Sequence, residues 1–236
     1  MSFKRKPPEG NVRRVSSNGQ NIRGVIINKV GRTVQFESWV ERALLLRLDR
    51  DPEVTDYGSQ PERFPYIDHE GKPHTYTPDF KVWRRNGEIE IHEVTLSVRQ
   101  TRPEIRQREE AARQICQRRG WRYVVHTEKS LPQPTELANL LALFRYRPSA
   151  YAQPDITQVA FERLAQCDEE RPTSLPALVV SLATDLDLLK PVVVAGLCHL
   201  LWHGKLSANL NTLLFVSGEL ASNAMVWIES GKENQP

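Results

Sequence analysis

The chain has 236 residues, of which 39% are hydrophobic and 26% are charged. This composition is typical of a globular protein and excludes a disordered or fibrous chain. No apolar run approaches the ~20 residues needed to cross a bilayer, and the basic, polar beginning carries no export signal, so we expect a cytoplasmic protein without membrane attachment. The three cysteines, Cys116, Cys167 and Cys198, form no CxxC pair, which fits a reducing compartment and indicates no zinc motif.

Charge is distributed unevenly along the chain. Residues 1–148 contain 27 basic and 19 acidic residues, a net charge of +8, whereas residues 149–236 contain 5 and 10, a net charge of −5. A basic segment favours a polyanion such as nucleic acid. We therefore expect any contact with DNA to lie in the first part of the chain.

The chain opens with a basic arm over residues 1–30, which includes one short apolar strand at residues 25–27. From Phe36 to Leu48 the apolar residues recur at steps of three and four, which predicts an amphipathic helix with Ser38 near its start. Asp51-Pro52 ends this helix, because the residue before a proline avoids the helical conformation.

Two strands are predicted next, over residues 75–83 and 88–96, joined at the turn pair Asn86-Gly87. The length of the turn determines which side chains meet. A three-residue loop with Gly87 in the left-handed conformation places Asp79 opposite Glu93 on one face of the sheet. A two-residue turn would put these carboxylates on opposite faces, so a site that uses both of them requires the three-residue loop.

A helix, a strand and a further helix follow the hairpin. Pro103 favours a helix start and Gly120 a helix end. The segments are residues 103–119, 121–126 and 135–146. The order helix–strand–strand–strand–helix–strand–helix predicts, for residues 31–148, an α/β domain with a mixed sheet of the restriction-endonuclease type.

The last part of the chain follows a linker at residues 148–154. Three helical patterns and one alternating segment then succeed one another, over residues 156–167, 175–182, 190–203 and 205–216. They predict a small, mostly α, winged-helix-like domain over residues 149–230, in which 205–216 is a wing or hairpin. Residues 231–236 are predicted to be a disordered tail.

Asp79 and Glu93 are the residues with the clearest chemistry. Two carboxylates held together repel each other, and a divalent cation is the usual way to keep both ionised. Mg²⁺, for which Mn²⁺ can substitute, also activates water in phosphodiester hydrolysis. Each acid also has a simpler interpretation. The segment Thr77-Pro78-Asp79 is typical of a turn, so Asp79 could be a turn residue. Arg84 or Lys81 could neutralise Glu93 without a metal.

The motifs YTPDF at residues 76–80 and EVT at 93–95 resemble the core of a PD-(D/E)XK nuclease. The fuller pattern is similar to the TnsA family, the endonuclease subunit of heteromeric cut-and-paste transposases. It comprises FESWVER at residues 36–42, DPEV at 51–54, Tyr57, QP at 60–61, YTPDF, EVT, NL at 139–140 and RY at 145–146. A helical C-terminal domain with a Gly-Lys-Leu turn at residues 204–206 also fits the family, so the resemblance covers roughly residues 30–220.

The resemblance implies a bacterial protein that cuts the 5′ strands of double-stranded DNA at transposon ends, beside a DDE-type transposase that handles the 3′ strands. Glu41, Asp79 and Glu93 would be the acidic metal-binding residues, and the backbone carbonyl of Val94 would also reach a metal. An AAA+ transposition regulator, or the transposase, would contact the C-terminal domain. For the third acid, Glu37 is an alternative to Glu41 one helical turn away.

Thr95 stands where the family has a lysine. A lysine there would orient the attacking water and stabilise charge that develops on the phosphate, whereas threonine carries no charge. Lys81 and Arg99 are candidate substitutes. The alternative hypotheses are a catalytically impaired subunit that binds DNA and supports assembly, or a DNA-binding regulator that acts through its C-terminal winged helix.

Four basic residues are candidates for DNA contact, where phosphate binding would give affinity without sequence specificity. They are Lys81, Arg84, Arg99 and Arg102. Separately, His199 and His203 lie one helical turn apart, a spacing that can bind zinc. Without a third ligand at a suitable spacing, core or surface histidines are the favoured interpretation.

Overall fold

The computed structural model describes residues 22–165 and 172–228. Its residues divide into two compact units, Met1–Leu131 and Pro132–Pro236. Most of the predicted basic arm, the predicted tail 231–236 and Cys167 lie outside the described residues. None of the described helices is long and apolar enough to cross a membrane.

The first unit alternates short strands with two long helices. A hairpin of two strands comes first, α1 follows it, and α2 lies between the last two strands. The elements are β1 Gly24–Ile27, β2 Thr33–Phe36, α1 Trp39–Arg50, β3 Val54–Ser59, β4 Phe64–Ile67, β5 Pro73–Tyr76, β6 Phe80–Arg84, β7 Ile89–Val94, α2 Pro103–Arg118 and β8 Arg122–His126.

The central sheet has the strand order β3-β6-β7-β8. β6 runs antiparallel to both β3 and β7, whereas β8 is parallel to β7 because the chain crosses over through α2 between them. The predicted α/β domain with a mixed sheet, consistent with a restriction-endonuclease-like fold, is thereby confirmed.

The β6–β7 hairpin has the register that the three-residue loop predicts. Phe80 pairs with His92 and Trp83 with Ile89, and continuing this register one step sets Asp79 opposite Glu93. Gly87 adopts φ 85° and donates its N–H to Arg84 O at 3.0 Å. Such a φ is open to glycine at little cost, so this one residue fixes which face each side chain of the hairpin occupies.

The prediction of a single strand over residues 75–83 is wrong, because the structure has two strands in this region. β5 ends at Tyr76 and pairs with β4 in a separate two-stranded sheet, and β6 begins at Phe80. Pro78 lies in the break, where it has no N–H to contribute to a ladder. Asp79 therefore sits at the very start of a central strand.

The sheet is packed on both faces. On one face, Ile91 joins a core cluster with Tyr76 of β5 and with Ala112 and Ile115 of α2. Phe80 and Val82, which alternate to the other face, are fully buried. Asp79 and Glu93 share the face of Ile91, which α2 covers.

Among the residues that the structure describes, the second unit contains four α-helices and several short strands. They are α3 Pro134–Phe144, α4 Pro154–Ala165, β9 Thr173–Ser174, α5 Leu175–Asp185, α6 Lys190–Trp202, β10 Ser207–Ala208, β11 Phe215–Val216, β12 Glu219–Leu220 and β13 Met225–Trp227. Strands β10, β13 and β9 form one sheet, in that order. The predicted hairpin within residues 205–216 is wrong, since β10 pairs with β13 and β11 pairs with β12. The winged-helix description stays a prediction.

The boundary between the units falls after Leu131, earlier than the predicted domain boundary after residue 148. Asn139 of α3 accounts for the difference. Its side chain donates to Leu210 O and Thr212 O at 2.8 Å each and accepts from Leu214 N at 2.9 Å, which ties α3 to the second unit. These are backbone contacts far along the chain, and no local pattern in α3 indicates them.

Candidate nuclease site

Asp79 and Glu93 meet at the end of the β6–β7 hairpin. Their carboxyl groups lie close enough for each to shift the pKa of the other, and the backbone N–H of Val94 donates to Asp79 Oδ2 at 2.8 Å. Each residue lies beside the other because the three-residue turn sets the register. The predicted convergence of the two carboxyl groups on one face is what the structure shows.

Burial and mutual repulsion dominate the electrostatics of this pair. Burial, followed by the charge of Glu93, holds the pKa of Asp79 well above its usual range. Burial also raises the pKa of Glu93, although the neighbouring Arg108 and hydrogen bonds from Tyr76 and Asp79 oppose the rise. Burial and mutual repulsion thus both disfavour the state in which the two groups are ionised, and a bound cation would favour it.

Glu93 also has two partners from outside the hairpin. The Tyr76 hydroxyl donates to Glu93 Oε2, and Arg108 Nη2 of α2 donates to Glu93 Oε1 at 2.6 Å. Tyr123 extends this group, with its hydroxyl 3.3 Å from that of Tyr76. Because Tyr76 is nearly fully buried, its hydroxyl is directed at Glu93 by packing in the core cluster.

Glu41 lies in the first turn of α1, close enough to Asp79 for the charge of Asp79 to affect the pKa of Glu41. Its carboxylate closes a capping box: Ser38 Oγ donates to Oε1 at 2.9 Å and Glu37 N donates to Oε2 at 2.8 Å. Burial, then repulsion from Asp79, raises the pKa of Glu41 to about 7. Glu37, the alternative third acid, instead accepts a hydrogen bond from Gln60 Nε2 at 3.0 Å.

The donor set of this site matches Mg²⁺ in chemistry, since three carboxyl groups with raised pKa values lack full compensation by cations. The geometry is less complete. Within residues 22–165 and 172–228, no group of three or more His, Cys, Asp or Glu side chains is arranged to hold a metal ion. Asp79 and Glu93 lie side by side in the hairpin register, whereas both carboxylate oxygens of Glu41 already accept hydrogen bonds, from Ser38 Oγ and Glu37 N.

Thr95 lies two residues after Glu93, immediately beyond the end of β7, and is buried. Its backbone N–H donates to His126 O at 2.9 Å, which extends the ladder between β7 and β8. Lys81, a candidate substitute for the missing lysine, pairs with Ile91 and lies on the same face of the sheet as Asp79 and Glu93. Its ammonium is 3.7 Å from the ring centre of Trp121 and 3.5 Å from Glu62 Oε1, so it is engaged by these two side chains.

The remaining predicted DNA contacts differ in their surroundings. Arg84 is held by two acids, with Nη1 2.6 Å from Asp51 Oδ2 and Nε 2.9 Å from Glu90 Oε2. Arg99 and Arg102 are exposed between β7 and α2. The structure thus leaves Arg99 and Arg102 accessible, whereas Arg84 already serves as an internal ion-pair partner.

Sequence reasoning missed the roles of Tyr76 and Arg108 at Glu93, which it assigned to a metal, to Arg84 or to Lys81. The sequence does contain a pattern that indicates the position of Arg108. Arg108, Ala112 and Ile115 are spaced by four and three residues, which places the arginine on the apolar stripe of α2. A cation on a buried helical stripe indicates a buried acid opposite it.

The histidine pair His199 and His203 has a structural role in the second unit. His199 Nδ1 lies 2.8 Å from Tyr146 O, and His203 Nε2 lies 3.0 Å from Arg147 O. Both rings contact backbone carbonyls just beyond the end of α3, where a helix leaves such groups unpartnered. These contacts agree with the core or surface interpretation rather than with zinc.

Comparison with known proteins supports the nuclease interpretation. Residues 51–128 match the family described as TnsA-like endonuclease N terminal. The matched segment includes Asp79, Glu93, Thr95 and Arg108, whereas Glu41 precedes it. No curated protein matches the chain.

Proposed function

Because residues 51–128 match the TnsA-like endonuclease N-terminal family, we propose that the chain is the metal-dependent DNA endonuclease subunit of a cut-and-paste transposase. It would cut the 5′ strands at transposon ends, together with a DDE-type transposase. The contact between Asp79 and Glu93 carries this proposal. A buried acid pair with incomplete charge compensation lies within the matched segment, at the start of one central strand and near the end of the next.

The chemistry proposed for the site is hydrolysis of a phosphodiester. A water oxygen forms a bond to phosphorus, the P–O bond to the leaving oxygen breaks, and the leaving oxygen takes up a proton. Mg²⁺ bound by Asp79 and Glu93 would supply a polarised water and offset charge on the phosphate. The Val94 amide fixes Asp79, and Tyr76 and Arg108 fix Glu93, so the two carboxylates are preorganised.

DNA would reach the site across the exposed basic surface that begins α2. Arg99, Arg102 and Arg106 are exposed there, a few residues beyond Glu93 in the chain. Such contacts bind phosphates of any sequence, so recognition of the transposon ends would belong to a partner. We assign contact with an AAA+ regulator or with the transposase to the acidic C-terminal domain.

The test is cleavage of transposon-end DNA, labelled separately on each strand, with the transposase and the regulator present. Wild type in Mg²⁺ or Mn²⁺ is expected to nick the 5′ strand, and Asp79→Ala is expected to bind the DNA without cutting it. Equal cutting by wild type and Asp79→Ala would contradict the proposal.

A second candidate is a subunit of the same assembly that binds DNA but does not cut it. Thr95 in place of the family's lysine favours it, as does Glu41, which is held in its capping box. Calorimetry distinguishes the two functions: wild type that binds neither Mg²⁺ nor Mn²⁺ near neutral pH would support the assembly role. Metal-dependent nicking would exclude it.

A further inference from the structure

A cation from α2 contacts the acid pair at the centre of the proposed site. Arg108 Nη2 lies 2.6 Å from Glu93 Oε1, and the side chains are about one quarter and one twentieth exposed, at 26% and 5%. The ion pair is therefore shielded from most of the solvent, although one side of the guanidinium remains accessible. A charge in such a position acts more strongly on neighbouring groups than one in bulk water.

The guanidinium of Arg108 is fixed by an aromatic ring. Its Cζ lies 4.7 Å from the centre of the Tyr76 ring, and the hydroxyl of that same tyrosine donates to Glu93. Tyr76 thus positions both members of the ion pair. A planar guanidinium that lies over a ring and pairs with a carboxylate has a fixed orientation. The directions of its other N–H groups are therefore fixed as well.

One of those other groups lacks a partner. Arg108 Nε is buried and makes no hydrogen bond with any residue that the structure describes. Buried N–H donors almost always have a partner, and an unpaired one is costly. The accessible part of the same guanidinium, rather than the buried Nε, is what an oxygen of a bound molecule can reach. Carboxylate and phosphate oxygens are the strong ligands of guanidinium groups, and Glu93 already provides the carboxylate.

We propose that Arg108 is a catalytic residue of this nuclease, contacting the scissile phosphate through the N–H groups that Glu93 leaves unused. It would supply the positive charge that Thr95 cannot. This inference rests on the proposed endonuclease function. Lys81 is a weaker candidate because Trp121 and Glu62 engage its ammonium, and Arg99 is an exposed residue beyond the acid pair.

The experiment compares single-turnover cleavage by wild type, Arg108→Gln and the matched control Arg113→Ala. Glutamine can still donate to Glu93 but carries no charge. Arg113 is on the same helix, lies over the Tyr123 ring at 5.8 Å and pairs with the exposed Glu110. Loss of one charge-stabilising group typically slows catalysis about 100-fold, so we expect that reduction for Arg108→Gln and less than about threefold for Arg113→Ala.

A second substrate separates contact with the phosphate from neutralisation of Glu93. DNA with a methylphosphonate at the scissile position lacks the negative charge that Arg108 would bind. If Arg108 contacts the phosphate, the ratio of wild-type to Arg108→Gln rates falls to below about tenfold on this DNA. An unchanged ratio would show that Arg108 acts through Glu93 alone and would overturn the assignment.

Thr95→Lys in the Arg108→Gln background completes the test. Recovery of at least about tenfold is expected, because either side chain would bring a cation to the phosphate. If Arg108→Gln does not fold by circular dichroism, Arg108→Met, which also removes the charge, replaces it on both DNAs with the same expected fall in the ratio. Wild type that cuts no DNA would overturn the proposed function itself, whereas wild type and Arg108→Gln that cut equally well would overturn only the role of Arg108.

Discussion

Two buried glutamates on β7, Glu90 and Glu93, face opposite sides of one sheet and have opposite electrostatics. Burial raises the pKa of Glu93 despite Arg108. Burial alone would also raise the pKa of Glu90, but the hydrogen bond with His92, the proximity of His92 and the charge and hydrogen bond of Arg84 lower it to about 2. Neighbouring basic groups compensate the negative charge of Glu90, whereas the charge of Glu93 is only partly compensated.

The surroundings of Glu90 explain its compensation. Its Oε2 accepts from Arg84 Nε and lies against His92 Nε2, each at 2.9 Å, and Arg122 forms a further ion pair. His126 Nε2 is 2.9 Å from His92 Nδ1 and continues the chain of contacts. Nothing about Glu90 calls for an external cation, which is typical of a structural ion-pair network.

The Asp79–Glu93 pair has two acids and one contacting arginine. A deficit of positive charge in a buried place is costly to folding and is typical of functional sites. We interpret Glu90 as an acid that stabilises the fold and Asp79 and Glu93 as acids that bind a metal. Four predictions test this distinction.

Asp79→Asn should have the largest effect on activity. Cleavage should fall at least about 100-fold, because an amide cannot replace an anionic metal ligand. The midpoint of urea unfolding in metal-free buffer should not decrease, because the change removes a buried acid that is repelled by Glu93. A marked loss of stability without metal would place Asp79 among the structural acids.

Glu90→Gln should have the opposite effect. Removing one partner from a buried ion-pair network costs about 3 kcal/mol, so the free energy of unfolding should fall by that amount. The exposed Glu110 provides the control, since Glu110→Gln should change stability by less than about 0.5 kcal/mol. Urea unfolding of both variants at pH 7 measures the difference, and similar stabilities would refute the role given to Glu90.

Glu41 should produce a pH-dependent stability of defined sign. Its folded-state pKa, about 7, lies above the unfolded value of about 4.3. The folded protein therefore binds more protons between these values, and its stability decreases as pH rises from about 4.3 to 7. Glu90, with its lowered pKa, has the reverse effect: its contribution is present above about pH 4.3 and is lost as pH falls toward 2.

The measurement for Glu41 is the melting temperature in EDTA from pH 5 to 8, for wild type and Glu41→Gln. Glutamine can still close the capping box but does not titrate. We expect Glu41→Gln to be the more stable protein at pH 8, by an amount that shrinks toward pH 5. Parallel curves would mean that Glu41 does not carry the raised pKa.

Ser38→Ala should have the smallest effect. Ser38 Oγ accepts from Glu41 N at 3.1 Å, and loss of such a cap typically costs about 1 kcal/mol. Ser174 caps α5 in the second unit through a longer contact of 3.4 Å to Ala177 N, so Ser174→Ala should cost less. Urea unfolding compares the two, and a larger loss for Ser174→Ala would contradict this ranking of the caps.

The sequence predicted the mixed α/β fold and the meeting of Asp79 with Glu93, because both depend on local signals. The left-handed position of Gly87 sets the hairpin register, and the period of α1 and α2 is plain. The break at Pro78 was also local but was overlooked because β-forming residues lie on both sides of it. The assignment of α3 to the second unit depends on Asn139 and its distant backbone partners, which no local pattern reveals.

The positions of the acids could be predicted from the sequence more easily than the basic residues with which they pair. Arg84 was a candidate partner for Glu93, yet alternation along the strands puts it beside Glu90 on the other face. Arg108 comes from a separate helix, and its pairing depends on how α2 lies across the sheet. Partner choice among several arginines is decided by tertiary packing, which a single sequence does not specify.

The most direct test of the distinction between the two acids is calorimetric titration of Mg²⁺ into metal-free protein at pH 8. Wild type and Glu90→Gln should bind Mg²⁺ with similar affinity, and Asp79→Asn should bind it at least about tenfold more weakly. Equal binding by all three proteins, or weakened binding in Glu90→Gln alone, would contradict the assignment of Asp79 and Glu93 as the metal-binding acids.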